Sequence, residues 1–249
     1  MRWVLLLVVV ALSVSGGQVL PAAAPVPVVV ELFTSEGCSS CPPADLLLSK
    51  LATEQPVPGV QIIPLGMHVT YWDSLGWKDP ASLLLATERQ QAYGGVFGAD
   101  RVYTPQAVID GREEMVGSDE GSLKRAIVKA VRQPRARVAL RASIDGNALR
   151  AESTIAELPA DAKESIHAWM FVTEDGLASI VKRGENGGRT LHHDAVVRVV
   201  FGGELAAARM LGFHTELRPE WRRDRLKAVV VLQGKRTQRI YGAATTPLK

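Results

Sequence analysis

The apolar residues of this chain change their spacing three times. Trp3 to Val14 is apolar throughout except for Ser13. It stands behind Arg2 and before the small residues Ser15-Gly16-Gly17 and Ala22-Ala23-Ala24. A run of about a dozen is too short to cross a bilayer and has the layout of a secretory leader. Residues 1–24 therefore read as a signal peptide. Val26 to Phe33 follows as a β-branched run, the pattern of a buried strand. A helix then starts near residues 38–40, continues through Leu46, Leu47, Lys50 and Leu51, and closes at Pro56. Val60 to Gly66 is a second short strand, so the three elements form a βαβ unit with a parallel pair. Residues 67–80 have no regular period and read as a loop at the carboxyl end of a strand, where α/β sheets place ligands.

Ala81 to Tyr93 reads as a helix ended by Gly94-Gly95 and Gly98. Gln106–Ile109 and Glu113–Val116 flank Asp110-Gly111, a strong hairpin turn. Ser118 to Val131 is a helix, capped by Ser118 or Asp119, with Leu123, Ile127, Val128 and Val131 as its apolar stripe. After Arg132-Gln133-Pro134-Arg135 the period becomes two, with Val138, Leu140, Ala142 and Ile144 alternating with small or charged residues. Strands are expected near 148–155, 165–173, 177–181, 196–201, 212–217, 226–232 and 238–241. Short strands with regular turns suggest an antiparallel, immunoglobulin-like sandwich. The expected organisation is thus an α/β domain over 25–134 followed by an all-β sandwich over 135–249.

The composition, 47% hydrophobic and 22% charged, suits a soluble globular protein. The net charge of +3 is spread along the chain and gives no argument for nucleic acid. Arg135-Ala136-Arg137 and Arg222 to Arg225 read as solvated charges. No stretch after the leader is apolar over about 18 residues, so no stable membrane insertion is expected once the leader is removed. Export implies an oxidising compartment, periplasmic or extracellular.

Chemistry concentrates at Cys38 and Cys41, the only cysteines. A Cys-x-x-Cys between a strand and a helix is a redox or metal motif. At a helix start, amide dipoles favour the Cys38 thiolate, making it the nucleophile. Cys41 can then resolve a mixed disulfide. Two other readings stay open. The pair can be an inert disulfide, although closing so short a loop constrains the unfolded chain little. With His68 it can form a Cys38, Cys41, His68 set suited to copper(I). Trp72, Asp73 and Trp77 either line a substrate groove or pack their own loop. Glu36 reads as solvated. The glycine-rich stretch 183–194, with His192-His193-Asp194, reads as a long loop pinned by its own side chains in preference to one folded back on the first half.

The order β-α-β-α-β-β-α, with the motif before the first helix and Thr104-Pro105 before the hairpin, resembles the thioredoxin fold. That resemblance implies a cis bond at Pro105 and a substrate edge shaped by Thr104 and Pro105. More closely, Val30 to Asp45, His68 to Asp73, Gly76 to Pro80, Arg101 to Gln106 and Arg183 to Leu191 resemble the DUF1223 family of exported bacterial proteins. Thr70 stands where that family usually has an aspartate. The DUF1223 resemblance implies the fold and no activity; the Cys38–Cys41 motif in its thioredoxin-like setting implies thiol–disulfide oxidoreductase or isomerase chemistry without a cofactor. Its partners would be protein thiols or disulfides and a redox partner protein.

Overall fold

The structure is a computed structural model and describes residues 24–98, 102–205, 207 and 209–248. Apart from Ala24, the leader lies outside the described residues. Strand β1 (Val26–Thr34) leads through helix α1 (Pro42–Glu54) to β2 (Val60–His68), which pairs parallel to it. Pro42 and Pro43 open α1, where missing N–H groups cost nothing. Helix α2 (Leu84–Phe97) runs four residues past its expected end at Tyr93. Ala86 and Tyr93 bury against the sheet, and that packing outweighs the weak helix propensity of Gly94-Gly95. Gly98, at φ 67°, ends the helix.

Strand β3 (Gln106–Ile109) lies antiparallel to β1 and turns at Asp110-Gly111 into β4 (Glu113–Val116). Helix α3 (Glu120–Val131) follows, its first turn capped by Asp119, which accepts the Ser122 N–H.

The second half begins with β5 (Val138–Asp145) and β6 (Ala148–Ile155), then β7 (Ile166–Glu174). A small hairpin of β8 (Leu177–Ile180) and β9 (Thr190–His193) comes next. Then follow β10 (Val196–Glu204), β11 (Met210–Glu216), β12 (Leu226–Gly234) and β13 (Ile240–Pro247).

The expected division into a thioredoxin-like domain and a separate immunoglobulin-like sandwich is overturned. Strands of both halves form one mixed eight-stranded sheet, in the order β13-β12-β7-β10-β2-β1-β3-β4. Only β11, β6 and β5 form a separate three-stranded layer over its far half. The reason lies in the apolar patterns. β5, β6 and β11 alternate buried or half-buried with exposed positions, as strands with one wet face do. β7 and β12 are apolar on both faces and need cover on each. On one face Val172, Val230 and Leu226 meet Leu149 and Ala151 of the three-stranded layer. On the other, Phe171, Val229 and Val231 share a core with Phe33, Leu65 and Tyr93 of the first half.

The seam between the halves is narrow. β10 meets β2 at a single pair, Val196 and Gly66, and the Gly66 N–H donates to Ala195 O at 2.8 Å. A side chain at residue 66 would bring its Cβ to 3.3 Å from that carbonyl, so glycine permits the approach. A buried polar network also crosses between the halves. Arg89 of α2 donates to both carboxylate oxygens of Glu31 on β1 and to Gln233 Oε1 on β12, at 2.7 Å for the latter. Tyr93 donates to Glu31 and accepts from Gln233. The Arg135 side chain is largely covered as well, paired with Asp110 at 2.7 Å, rather than solvated as expected. No helix among the described residues is long and apolar enough to cross a membrane.

Candidate functional site

The turn after β1 carries Cys38 and Cys41, which are bonded to each other with Cα atoms 5.4 Å apart. α1 begins at Pro42, so Cys41 is its N-cap and Cys38 precedes it by a turn. The Cys41 N–H donates to Cys38 O, and the Ala44 and Asp45 N–H groups donate to Cys41 O. Both cysteines are 0% exposed.

Three loops and the two strands of the β8–β9 hairpin close around them. Trp72 donates from Nε1 to Thr104 Oγ1 at 2.8 Å, and its Cβ packs on the backbone of Gly37. The loop after β2 and the Thr104–Pro105 segment are thereby tied beside the motif. The Thr104–Pro105 bond is cis, as the resemblance implied. Pro105 packs near Gly117 and Ala44 at the base of α1. Asp73 points elsewhere: it accepts the Asp79 N–H and the Ser82 hydroxyl and braces its own loop.

Glu36 is buried, not solvated. Its Oε2 accepts Trp77 Nε1 at 2.7 Å and Ser179 Oγ at 3.0 Å. Ser179 lies on β8, so the hairpin β8–β9 reaches the motif. The rest of that hairpin follows. Glu185 Oε2 accepts the Ser39 N–H at 2.9 Å. Asn186, fully buried, donates from Nδ2 to Glu36 O and to Cys38 O, both at 2.9 Å. The stretch 183–194 is therefore folded back over the cysteines, against the expectation of a self-pinned loop.

His193 of β9 completes a cluster of buried titratable groups. Its Nε2 lies 3.6 Å from Glu36 Oε1 and its Nδ1 3.8 Å from Asp45 Oδ2. These separations are beyond hydrogen-bond reach. Both ring nitrogens and Asp45 Oδ2 are buried without a partner. The other Asp45 oxygen accepts Thr34 Oγ1 at 2.8 Å. Burial holds the Asp45 carboxyl above its usual range, against the pull of His193 and His68.

The His68 ring meets that of His193 edge-on, with centroids 4.9 Å apart. Its Nδ1 donates to Asp79 Oδ2 at 2.7 Å, and the same oxygen accepts the Glu36 N–H. Burial pulls the His68 imidazole down, but the Asp79 carboxylate and its hydrogen bond raise it to about 9. Burial likewise raises the Asp79 carboxyl, and the His68 charge outweighs it, bringing it to about 2. His68 and Asp79 thus form a charged pair at neutral pH. Among the described residues no group of three or more His, Cys, Asp or Glu side chains is arranged to hold a metal ion.

Glu36, Asp79, Ser179, Asn186 and His193 were not read as site residues from the sequence. The cue available was the density of polar residues in 183–194, which carries histidine, glutamate and asparagine among glycines.

The profile of a family described as "Protein of unknown function (DUF1223)" matches residues 29–233. No curated protein matches the chain. Among solved structures, a crystal structure of an Agrobacterium tumefaciens protein is 26% identical, with a TM-score of 0.67, over 90% of this chain and 95% of that one. HBP35 of Porphyromonas gingivalis is 16% identical, with a TM-score of 0.65, over 92% of this chain and 77% of that one. At that identity HBP35 shares the fold and nothing further is carried over.

Proposed function

This chain belongs to the DUF1223 family, and we propose that it is an exported thiol–disulfide exchange protein acting through Cys38 and Cys41. One observation carries the reading: the only two cysteines are bonded to each other at the junction of β1 and α1, among buried acids and histidines. A bridge across two intervening residues adds little to stability, which leaves chemistry as the reason for its placement. In exchange, a substrate thiolate attacks Cys38 Sγ. The Cys38–Cys41 bond breaks, a bond from Cys38 to the substrate forms, and Cys41 leaves as the thiolate. A second substrate thiolate then displaces Cys38, so two electrons pass to the motif and the substrate becomes a disulfide. The reverse sequence delivers a disulfide.

What this proposal takes from the thioredoxin-like superfamily is the chemistry of its Cys-x-x-Cys motif, not a separate α/β domain. Residues 1–24 give the export signal, and the compartment is the periplasm or the exterior. The substrate edge is assigned to Thr104, Pro105 and Trp72. The test uses a reduced or scrambled protein substrate. Cys41→Ser should accumulate mixed disulfides through Cys38, and Cys38→Ser should trap nothing. Activity unchanged in both variants sinks the proposal.

A second reading is supported by the complete burial of both sulfurs: a binding protein whose disulfide is inert. A reduction potential below about −300 mV would favour it.

A further inference from the structure

The buried disulfide and the hairpin over it pose one problem, since exchange requires access to a sulfur. Of the segments closed around it, the loop between β8 and β9 is the one bonded directly to the motif's backbone, at Ser39 and Cys38. This loop is a closed unit. The Val181 N–H donates to Arg189 O, the Gly188 N–H to Val181 O, and the Gly187 N–H to Gly184 O. Lys182, Arg183, Gly184, Glu185, Gly187, Gly188 and Arg189 are all exposed, and only Val181 and Asn186 are buried.

Its direct hydrogen bonds to the motif are polar and few. Glu185 takes the Ser39 N–H, and Asn186 gives its amide hydrogens to Glu36 O and Cys38 O. Arg189 holds Asn186 in place by donating to its Oδ1 at 2.7 Å. The Gly184 backbone rests on the loop before Trp77, where Gly76 comes close enough that a Cβ would lie 3.3 Å from Gly184 Cα.

The chemistry of these contacts indicates what would replace them. A carboxylate oxygen on the Ser39 N–H stands where a peptide carbonyl could accept. An amide N–H on Cys38 O stands where a peptide N–H could donate. An extended segment has both groups free, whereas in a helix they are used internally. Exchanging such polar bonds one for one changes the free energy little, whereas an apolar plug would have to surrender its burial.

We infer that the loop from Lys182 to Arg189 is an internal occupant of a polypeptide-binding surface on the motif, with Asn186 as its latch, displaced when an extended segment of a partner protein docks while Val181 stays buried. This rests on the exchange reading above and adds the kind of partner it takes and the way the site is closed without one.

The experiment measures reduction of the Cys38–Cys41 disulfide in the intact folded protein by dithiothreitol, followed by alkylation of the freed thiols. The reductant's two thiols supply two electrons and two protons and close to its cyclic disulfide. Asn186→Ala should be reduced about tenfold faster than wild type, the scale of losing paired buried hydrogen bonds. Glu185→Ala, at an exposed position, should give a smaller rise. Low urea separates local opening from loss of the whole fold, because only the latter strongly accelerates with denaturant. Equal rates in wild type and Asn186→Ala overturn the inference. So does a faster variant rate that climbs steeply with urea.

A reduced, unfolded protein should also react with wild type faster than dithiothreitol at equal thiol concentration, and an equal or slower reaction overturns the extended-partner element. If Asn186→Ala opens as expected but the protein neither oxidises protein thiols nor, once reduced, reduces protein disulfides, the plug stands and the exchange reading falls.

Discussion

Two of the buried charge clusters among the described residues are built in opposite ways. In the first, Arg89 meets both Glu31 oxygens, Tyr93 and Gln233, and Trp169 donates to Gln233 Oε1. The Arg89 guanidinium also lies over the rings of Tyr93, Trp169 and Phe171. None of its polar side-chain atoms is left buried without a partner. In the second, around Glu36, Asp45, His68, Asp79 and His193, three buried atoms have none. A satisfied network fixes one arrangement of its elements. An unsatisfied one in a native protein calls for a role other than rigidity. The first cluster joins α2 and β1 to β12. The second stands against the disulfide and includes a residue of the hairpin that covers it.

The largest effect expected from this contrast is on stability. Arg89→Met leaves Glu31 buried without its counter-charge and should cost about 3–5 kcal/mol in urea unfolding. A loss under about 1 kcal/mol would mean that the satisfied network does not hold the halves together.

The next concerns pH. His68 has its pKa raised from 6.5 to about 9, so its contribution is fully present below 6.5 and is lost as pH rises through 9. Such a rise corresponds to on the order of 3 kcal/mol. Asp79 is its partner in the same pair, and its contribution is lost only as pH falls through about 2. The wild type should therefore lose stability between pH 7 and 10 in thermal melts, and Asp79→Asn should lack most of that decline. Parallel pH profiles for the two proteins would refute the charged pair.

The smallest effect is expected at His193. Its ring nitrogens make no hydrogen bond to forfeit, so His193→Gln should change unfolding free energy by less than about 1 kcal/mol. A loss above about 3 kcal/mol would place His193 with Arg89 as a structural group and dissolve the distinction.

The order of elements was legible along the chain where local signals were strong. Asp110-Gly111 marked its hairpin, and both residues adopt positive φ, 49° and 61°. Ser118-Asp119 marked the start of α3, and Asp119 is the one that caps it. Which strands share a sheet was not legible, because that depends on pairing between distant segments. A single contact at Val196 and Gly66 decides it, and no periodicity reports one contact. A hint lay in β7 and β12, whose runs do not alternate and so demand cover on both faces.

At the site, the cysteine spacing was enough to find the disulfide. β9 escaped notice because it is four residues long and sits among glycines and charges, where strand propensity says little. Glu36 was read as solvated because a single glutamate carries no local sign of the tryptophan, serine and histidine that enclose it from three other segments.

The Val196–Gly66 seam also bears on inheritance. A gene cut after Pro134 would encode a sheet ending in the unpaired edge of β2, with Phe33 and Leu65 deprived of Phe171 and Val231. Bare edges and open apolar faces invite self-association. Neither half is a cassette that recombination could trade into another chain and leave soluble. Their sequences should therefore have diverged in step, each change at the seam answered from the other side.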